Sequence, residues 1–162
     1  MLFRSRQIAA CAEAGFTVQA AFECEFTLAT RNADGTFAPL DESLCFSSVG
    51  MTTAAQVMDA IIAALEAQGL EVDQYYPELG HGQQELSIRH APALAAADRQ
   101  VFYRDTVRNV AYQHNLYASL APKPFPDEAG NGAHIHFSLW DKTGKRNVMR
   151  SEERRVGKEC RL

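Results

Sequence analysis

From Phe16 to Ala29 the chain runs Phe-Thr-Val-Gln-Ala-Ala-Phe-Glu-Cys-Glu-Phe-Thr-Leu-Ala, without glycine or proline and with two charges, Glu23 and Glu25. β-Branched and aromatic residues dominate, and polarity alternates around the two acids, so the segment is predicted to be one long strand. Because side chains on a strand alternate, both carboxylates point to one face while Phe22, Cys24 and Phe26 point to the other. A chain built on this strand has to form a sheet and bury its apolar side. The acidic side then carries two like charges close together, which repel unless a cation lies between them.

The remaining elements follow from periodicity and punctuation. Gln7 to Ala14 is predicted to form a short helix ended by Gly15. Asn32-Ala-Asp-Gly35 supplies a turn, after which Phe37 to Leu40 returns as a short strand that Pro39 assigns to an edge. A loop is expected up to Gly50. Thr53-Ala-Ala-Gln56 fits a capping box, and Val57, Ile61, Ala64 and Leu65 continue at helical spacing until Gly69. Leu70 to Tyr76 and Gln84 to His90 read as strands joined by residues 77–83. Pro92 opens a second long helix with Tyr103, Val107, Val110, Ala111 and His114 on one face. A short strand is expected after Leu116, an extended path through Pro122 to Pro126, and a last strand from Ala133 to Trp140. Strand hairpins mixed with two helices imply an α+β fold with a largely antiparallel sheet, in one unit over residues 1–149.

Composition narrows the class. The 162 residues are 46% hydrophobic and 22% charged, as in a soluble globular domain. No apolar run is expected to approach the roughly 20 residues of a membrane span, and Met1 to Arg6 lack a signal-peptide core, so the expected compartment is the cytoplasm. The four cysteines have no close pairing and are read as reduced thiols. Residues 150–162 hold five basic and three acidic groups, and without them the body carries 11 basic and 17 acidic residues. An acidic body argues against a nucleic-acid surface and suits a site that gathers carboxylates around cations. The stretch 150–161 resembles the in-frame translation of a common sequencing-library adapter, so 150–162 is expected to be a non-native tail.

Two further motifs carry chemistry. Glu78 and Glu85 bracket Leu-Gly-His-Gly-Gln-Gln, whose glycines permit a tight return that brings both carboxylates to one place. His134-Ile-His136 puts two imidazoles on one strand face, after the flexible Gly130-Asn-Gly132. A lone Glu-x-Glu is commonly a solvated face and a lone histidine commonly structural. Four glutamates with a histidine form an oxygen-rich set suited to magnesium or manganese rather than zinc.

Phe22-Glu-Cys-Glu-Phe26, Glu78-Leu-Gly-His-Gly-Gln-Gln-Glu85, Ala121-Pro-Lys-Pro124 and Gly130-Asn-Gly-Ala-His-Ile-His-Phe-Ser138 occur in the order found in the glutamine synthetase family, which residues 1–149 resemble. The resemblance implies that Glu25, Glu78 and Glu85 hold one metal and that Glu23 and His134 hold a second. His136 and Ser138 match nucleotide-side contacts, and Gly130 matches a glycine whose backbone faces glutamate. Ala129 stands where the glutamine-forming members have asparagine. Lys123 is given a structural or electrostatic role, while His81 and His114 are read as loop and helix-surface residues.

The implied activity is an ATP- and Mg2+- (or Mn2+-) dependent ligation of glutamate to ammonia or an amine through a γ-glutamyl phosphate. A polyamine or other amine acceptor, and a non-catalytic structural relative, are the alternatives; an unrelated metal-dependent hydrolase is a third. The resemblance also implies an N-terminal domain that completes the site from a neighbouring subunit, downstream arginines and a final acidic ligand. The isolated chain is therefore expected to be inactive, and the full-length parent to be a homo-oligomer without nucleic-acid or membrane partners.

Overall fold

The computed structural model describes residues 3–149; the segment read as a foreign tail lies outside the described residues. The long strand predicted from the opening run is present as β1, Phe16–Arg31, and it organises the molecule. It pairs antiparallel with β2 (Phe37–Pro39), β4 (Gln83–Ile88) and β5 (Ala91–Pro92), and also with β6 (Tyr117–Ser119) and β7 (Ala133–Asp141). Glu23 has both Ser87 and His134 as partners, so β4 and β7 flank β1 on opposite edges. β3 (Val72–Pro77) pairs outside β4, which completes a seven-stranded sheet. The largely antiparallel α+β arrangement is therefore as the sequence implies.

One sheet face is the core. Cys24, Phe26 and Leu28 of β1 and Leu86 and Ile88 of β4 are buried. They pack against Ala54, Val57, Met58, Ile61 and Leu65 of α2 (Ser48–Ala67) and Tyr103, Val107 and Ala111 of α3 (Ala93–Gln113). Both helices end in the same way. The Leu70 and Gly69 amides donate to the carbonyls of Leu65 and Glu66, and those of Leu116 and Asn115 to Ala111 and Tyr112. Each pair satisfies carbonyls that the helix end leaves open and turns an apolar side chain back onto the core. A third helix, α1 (Phe3–Glu13), precedes β1 and begins before the predicted Gln7.

Three local expectations are corrected. α2 starts at Ser48 rather than near Thr53, capped by the Ser47 hydroxyl, which accepts the Val49 amide at 3.1 Å. Thr53 instead donates its hydroxyl to the Val49 carbonyl, and Gly50, read as loop, lies buried inside the first turn. The same helix, at 20 residues, is long and apolar enough on average to cross a membrane, against the expectation that no run approaches that length. Here its apolar stripe packs on the sheet. The proline-rich stretch bends instead of running straight, with the Glu128 amide donating to the Phe125 carbonyl at 3.2 Å.

Candidate active site

The face of the sheet opposite the core carries the acids. Strand register sets Glu25 opposite Glu85, and Glu85 opposite Tyr76, in one row across β1, β4 and β3. In the other direction Glu23 lies opposite His134, Ala21 opposite His136, and Gln19 opposite Ser138. Alternation along β7 puts both histidines on one face, as predicted, and the register makes it the acidic face, which Ser138 shares. Glu78 follows the end of β3, and the hairpin is closed by the Glu78 amide donating to the Gln83 carbonyl at 2.9 Å.

Burial and like charge act together on Glu85, which is 3% exposed. Its carboxyl is pushed above the ordinary range, first by burial and then by the charges of Glu23, Glu25 and Glu78, while a hydrogen bond from the Tyr76 phenol works the other way. Tyr76 in turn is driven to a raised pKa by burial and by this acceptor. All four predicted glutamates are thus near enough to share one electrostatic field. Such a set of hard oxygen donors, like-charged and partly buried, fits a divalent cation of the magnesium or manganese kind.

Each of three carboxylates nevertheless has its own donor. Glu85 accepts from Tyr76 at 2.5 Å, Glu78 from the Leu79 amide at 2.9 Å, and Glu25 from the Gly132 amide at 2.9 Å. His136 Nε2 stands 3.0 Å from Glu23, closer than His134 Nδ1 at 3.7 Å, although the resemblance pairs Glu23 with His134. Among the described residues no group of three or more His, Cys, Asp or Glu is close enough to hold an ion as it stands.

The sequence reading missed the residue that connects these parts. Gln83, 2% exposed, donates its side-chain amide to Glu25 at 2.5 Å, the Gly130 carbonyl at 3.0 Å and Asn131 Oδ1 at 3.2 Å. Asn131 donates to the Ser119 and Ala121 carbonyls and accepts from the Thr27 hydroxyl. The Gly130–Gly132 segment, expected to be flexible, is therefore pinned. A Cβ on Gly132 would fall 2.8 Å from Glu25 Oε1, so any other residue there would push the carboxylate away from the loop backbone. The available signals were Gln83 beside Glu85 in the bracketed motif and Tyr76 two residues before Glu78.

Beside Glu23 lies a cleft of about 370 Å³, lined by Gln19, Asp73, Ser87, His136 and Ser138 among others. Its volume is in the range of small-molecule sites. The Ser138 hydroxyl accepts from the Trp140 indole at 2.8 Å, and Ser87 Oγ is buried without a protein partner. Gly130 presents its carbonyl to Gln83. His81 is a loop residue paired with Glu128 at 2.8 Å, His114 caps α3, and Lys123 is exposed.

Comparison with protein families matches residues 3–161 to "Glutamine synthetase, catalytic domain". A gamma-glutamylpolyamine synthetase of Streptomyces coelicolor is 36% identical over 137 residues, which cover 83% of this chain and 29% of that protein. A glutamine synthetase of Halobacterium salinarum is 35% identical over 81% of this chain and 29% of its own length. A glutamate–methylamine ligase of Methyloversatilis universalis is 30% identical over 88% and 33%. Among solved structures, a GmaS/ADP complex superposes with a TM-score of 0.82 at 29% identity, covering 93% of this chain and 35% of that one. The chain thus spans about a third of the length of the relatives it matches.

Proposed function

The chain belongs to the glutamine synthetase family, and from that premise we propose that the complete protein is an ATP-dependent ligase joining glutamate to ammonia or an amine. The observation that carries this reading is the placing of Glu23, Glu25 and Glu85 on one sheet face by strand register, with Glu78 at the end of the neighbouring strand and Glu23 lining a cleft. A carboxylate and an amine do not condense in water, so the γ-phosphoryl group of ATP first passes to the side-chain carboxylate of glutamate. The amine nitrogen then attacks the acyl carbon, the phosphate leaves with the electrons of its C–O bond, and the nitrogen loses a proton.

In this reading the cleft receives the nucleotide, with His136 and Ser138 on its β7 wall and Glu23 at its acidic end. The pinned Gly130 loop offers a fixed backbone to glutamate. Preorganised groups of this kind lower the barrier by placing donor and acceptor in line without reorganisation. Glu25, Glu78 and Glu85 would hold one divalent cation and Glu23 with His134 another, and when bound these neutralise charge on the phosphate oxygens. The similarity to polyamine and methylamine ligases as well as glutamine synthetases leaves the acceptor to experiment. A homo-oligomeric parent working in the cytoplasm is part of the same proposal.

Phosphate release by the complete protein should require both ATP and glutamate and should depend on one member of a panel of ammonia, methylamine and polyamines. Glu25→Ala should lose most of its turnover at limiting magnesium while keeping the wild-type circular dichroism. Release without ATP, or near-normal turnover of that variant, contradicts the ligase. Phosphate release by no combination favours a structural relative.

A further inference from the structure

We propose that Gln83 is a positioning residue that ties the Glu25 carboxylate to the Gly130–Gly132 loop, so that cation binding at Glu25 and the seating of glutamate on that loop reinforce each other. The inference rests on the ligase reading and concerns a residue that contributes no charge to it.

The orientation of the Gln83 amide is determined by its surroundings. Its oxygen accepts the Gly80 amide at 2.7 Å, which turns the NH2 group toward Glu25, the Gly130 carbonyl and Asn131 Oδ1. All three are acceptors, so a flipped amide would set oxygen against oxygen and leave the Gly80 donor facing an NH2 group. At 2% exposure water has little access to replace either bond.

Both the Gln83 and Gly132 donors fall on Glu25 Oε2, at 2.5 and 2.9 Å, so the side-chain amide and the loop backbone hold the same carboxylate oxygen. One NH2 group therefore holds a cation ligand and a loop carbonyl at once. Glutamate seated on the pinned loop braces the Gly130 carbonyl, and through Gln83 it braces Glu25 as well. A cation held at Glu25 braces the loop in return, since coupling between two sites is reciprocal.

The test is Mn2+ binding to the complete protein, followed by electron paramagnetic resonance or calorimetry, with and without saturating glutamate. Wild type is expected to bind Mn2+ at least about fivefold more tightly when glutamate is present. Gln83→Met, similar in volume but unable to donate, should lose about tenfold in Mn2+ affinity and should no longer respond to glutamate. In turnover its KM for glutamate should rise more than kcat falls. Wild-type Mn2+ affinity in this variant, or an undiminished response to glutamate, overturns the inference while leaving the ligase reading in place. Wild-type protein that binds neither Mn2+ nor glutamate sinks both. Should Gln83→Met fail to fold, Asn131→Ala decides the matter, since it removes a loop contact of Gln83 without touching the bond to Glu25. It should keep the Mn2+ affinity and weaken the response to glutamate, and an unchanged response overturns the inference.

Discussion

Glu85 is the residue on which the electrostatics of this protein converge. Its raised pKa means the folded state holds the proton more tightly than the unfolded chain does, and the ordinary value is 4.5. Stability from this group is therefore fully present below that pH and is lost as pH rises through the higher folded value. Glu85→Gln should raise the melting temperature of the metal-free protein at neutral pH, flatten its decline as pH rises above 4.5, and weaken Mn2+ binding; thermal melts and a Mn2+ titration check all three. Tyr76→Phe acts in the opposite sense, because Glu85 then loses its phenolic donor in a buried place. A loss of about 1–3 kcal/mol is expected at pH 7 in urea unfolding, shrinking toward acid as the carboxyl becomes neutral. The acidic pairs were legible in the sequence because strand alternation alone puts Glu23 and Glu25 on one face. The role of Gln83 was not, since it depends on partners 58 and 48 residues away that no local pattern brings together.

Among the elements, strands were read more faithfully than helix starts, and α2 shows why. Thr53-Ala-Ala-Gln56 has the spacing of a cap, yet Ser47 precedes it and begins the helix five residues ahead of Thr53. Gly50 argued for a loop on propensity, but the position is packed against Ser43, where the absence of a side chain outweighs the cost of glycine in a helix. The distinction is measurable. Ser47→Ala should cost about 1 kcal/mol because the Val49 amide loses its acceptor. Thr53→Ala should cost less, since its hydroxyl only returns to a carbonyl already inside the helix. Equal losses in paired denaturant curves would restore the later start. The Gly130–Gly132 loop was misread for a related reason: glycines were taken as freedom, while Gly132 is small so that its backbone can touch Glu25.

At the scale of the molecule, β1 is the shared partner of five strands, and the acidic face exists only when all of them dock. His134 reaches Glu23 across more than a hundred residues of chain, so assembling the site requires the complete sheet. Burying a carboxylate among three others works against that assembly, and in the structure each acid is quieted by a separate neutral donor or histidine. A divalent cation that binds this arrangement and not the unfolded chain has to stabilise the fold by mass action. At a hundredfold excess over its Kd the gain is about 2.7 kcal/mol. The complete protein should therefore melt at a higher temperature in Mn2+ or Mg2+, return to its former value with chelator, and gain clearly less as Glu25→Gln, which removes a ligand of one of the two cations. Calcium, which accepts a larger and looser oxygen cage than magnesium, tests selectivity in the same assay. An undiminished gain in Glu25→Gln places the cation elsewhere on the acidic surface and removes the physical basis for assigning Glu25 to metal.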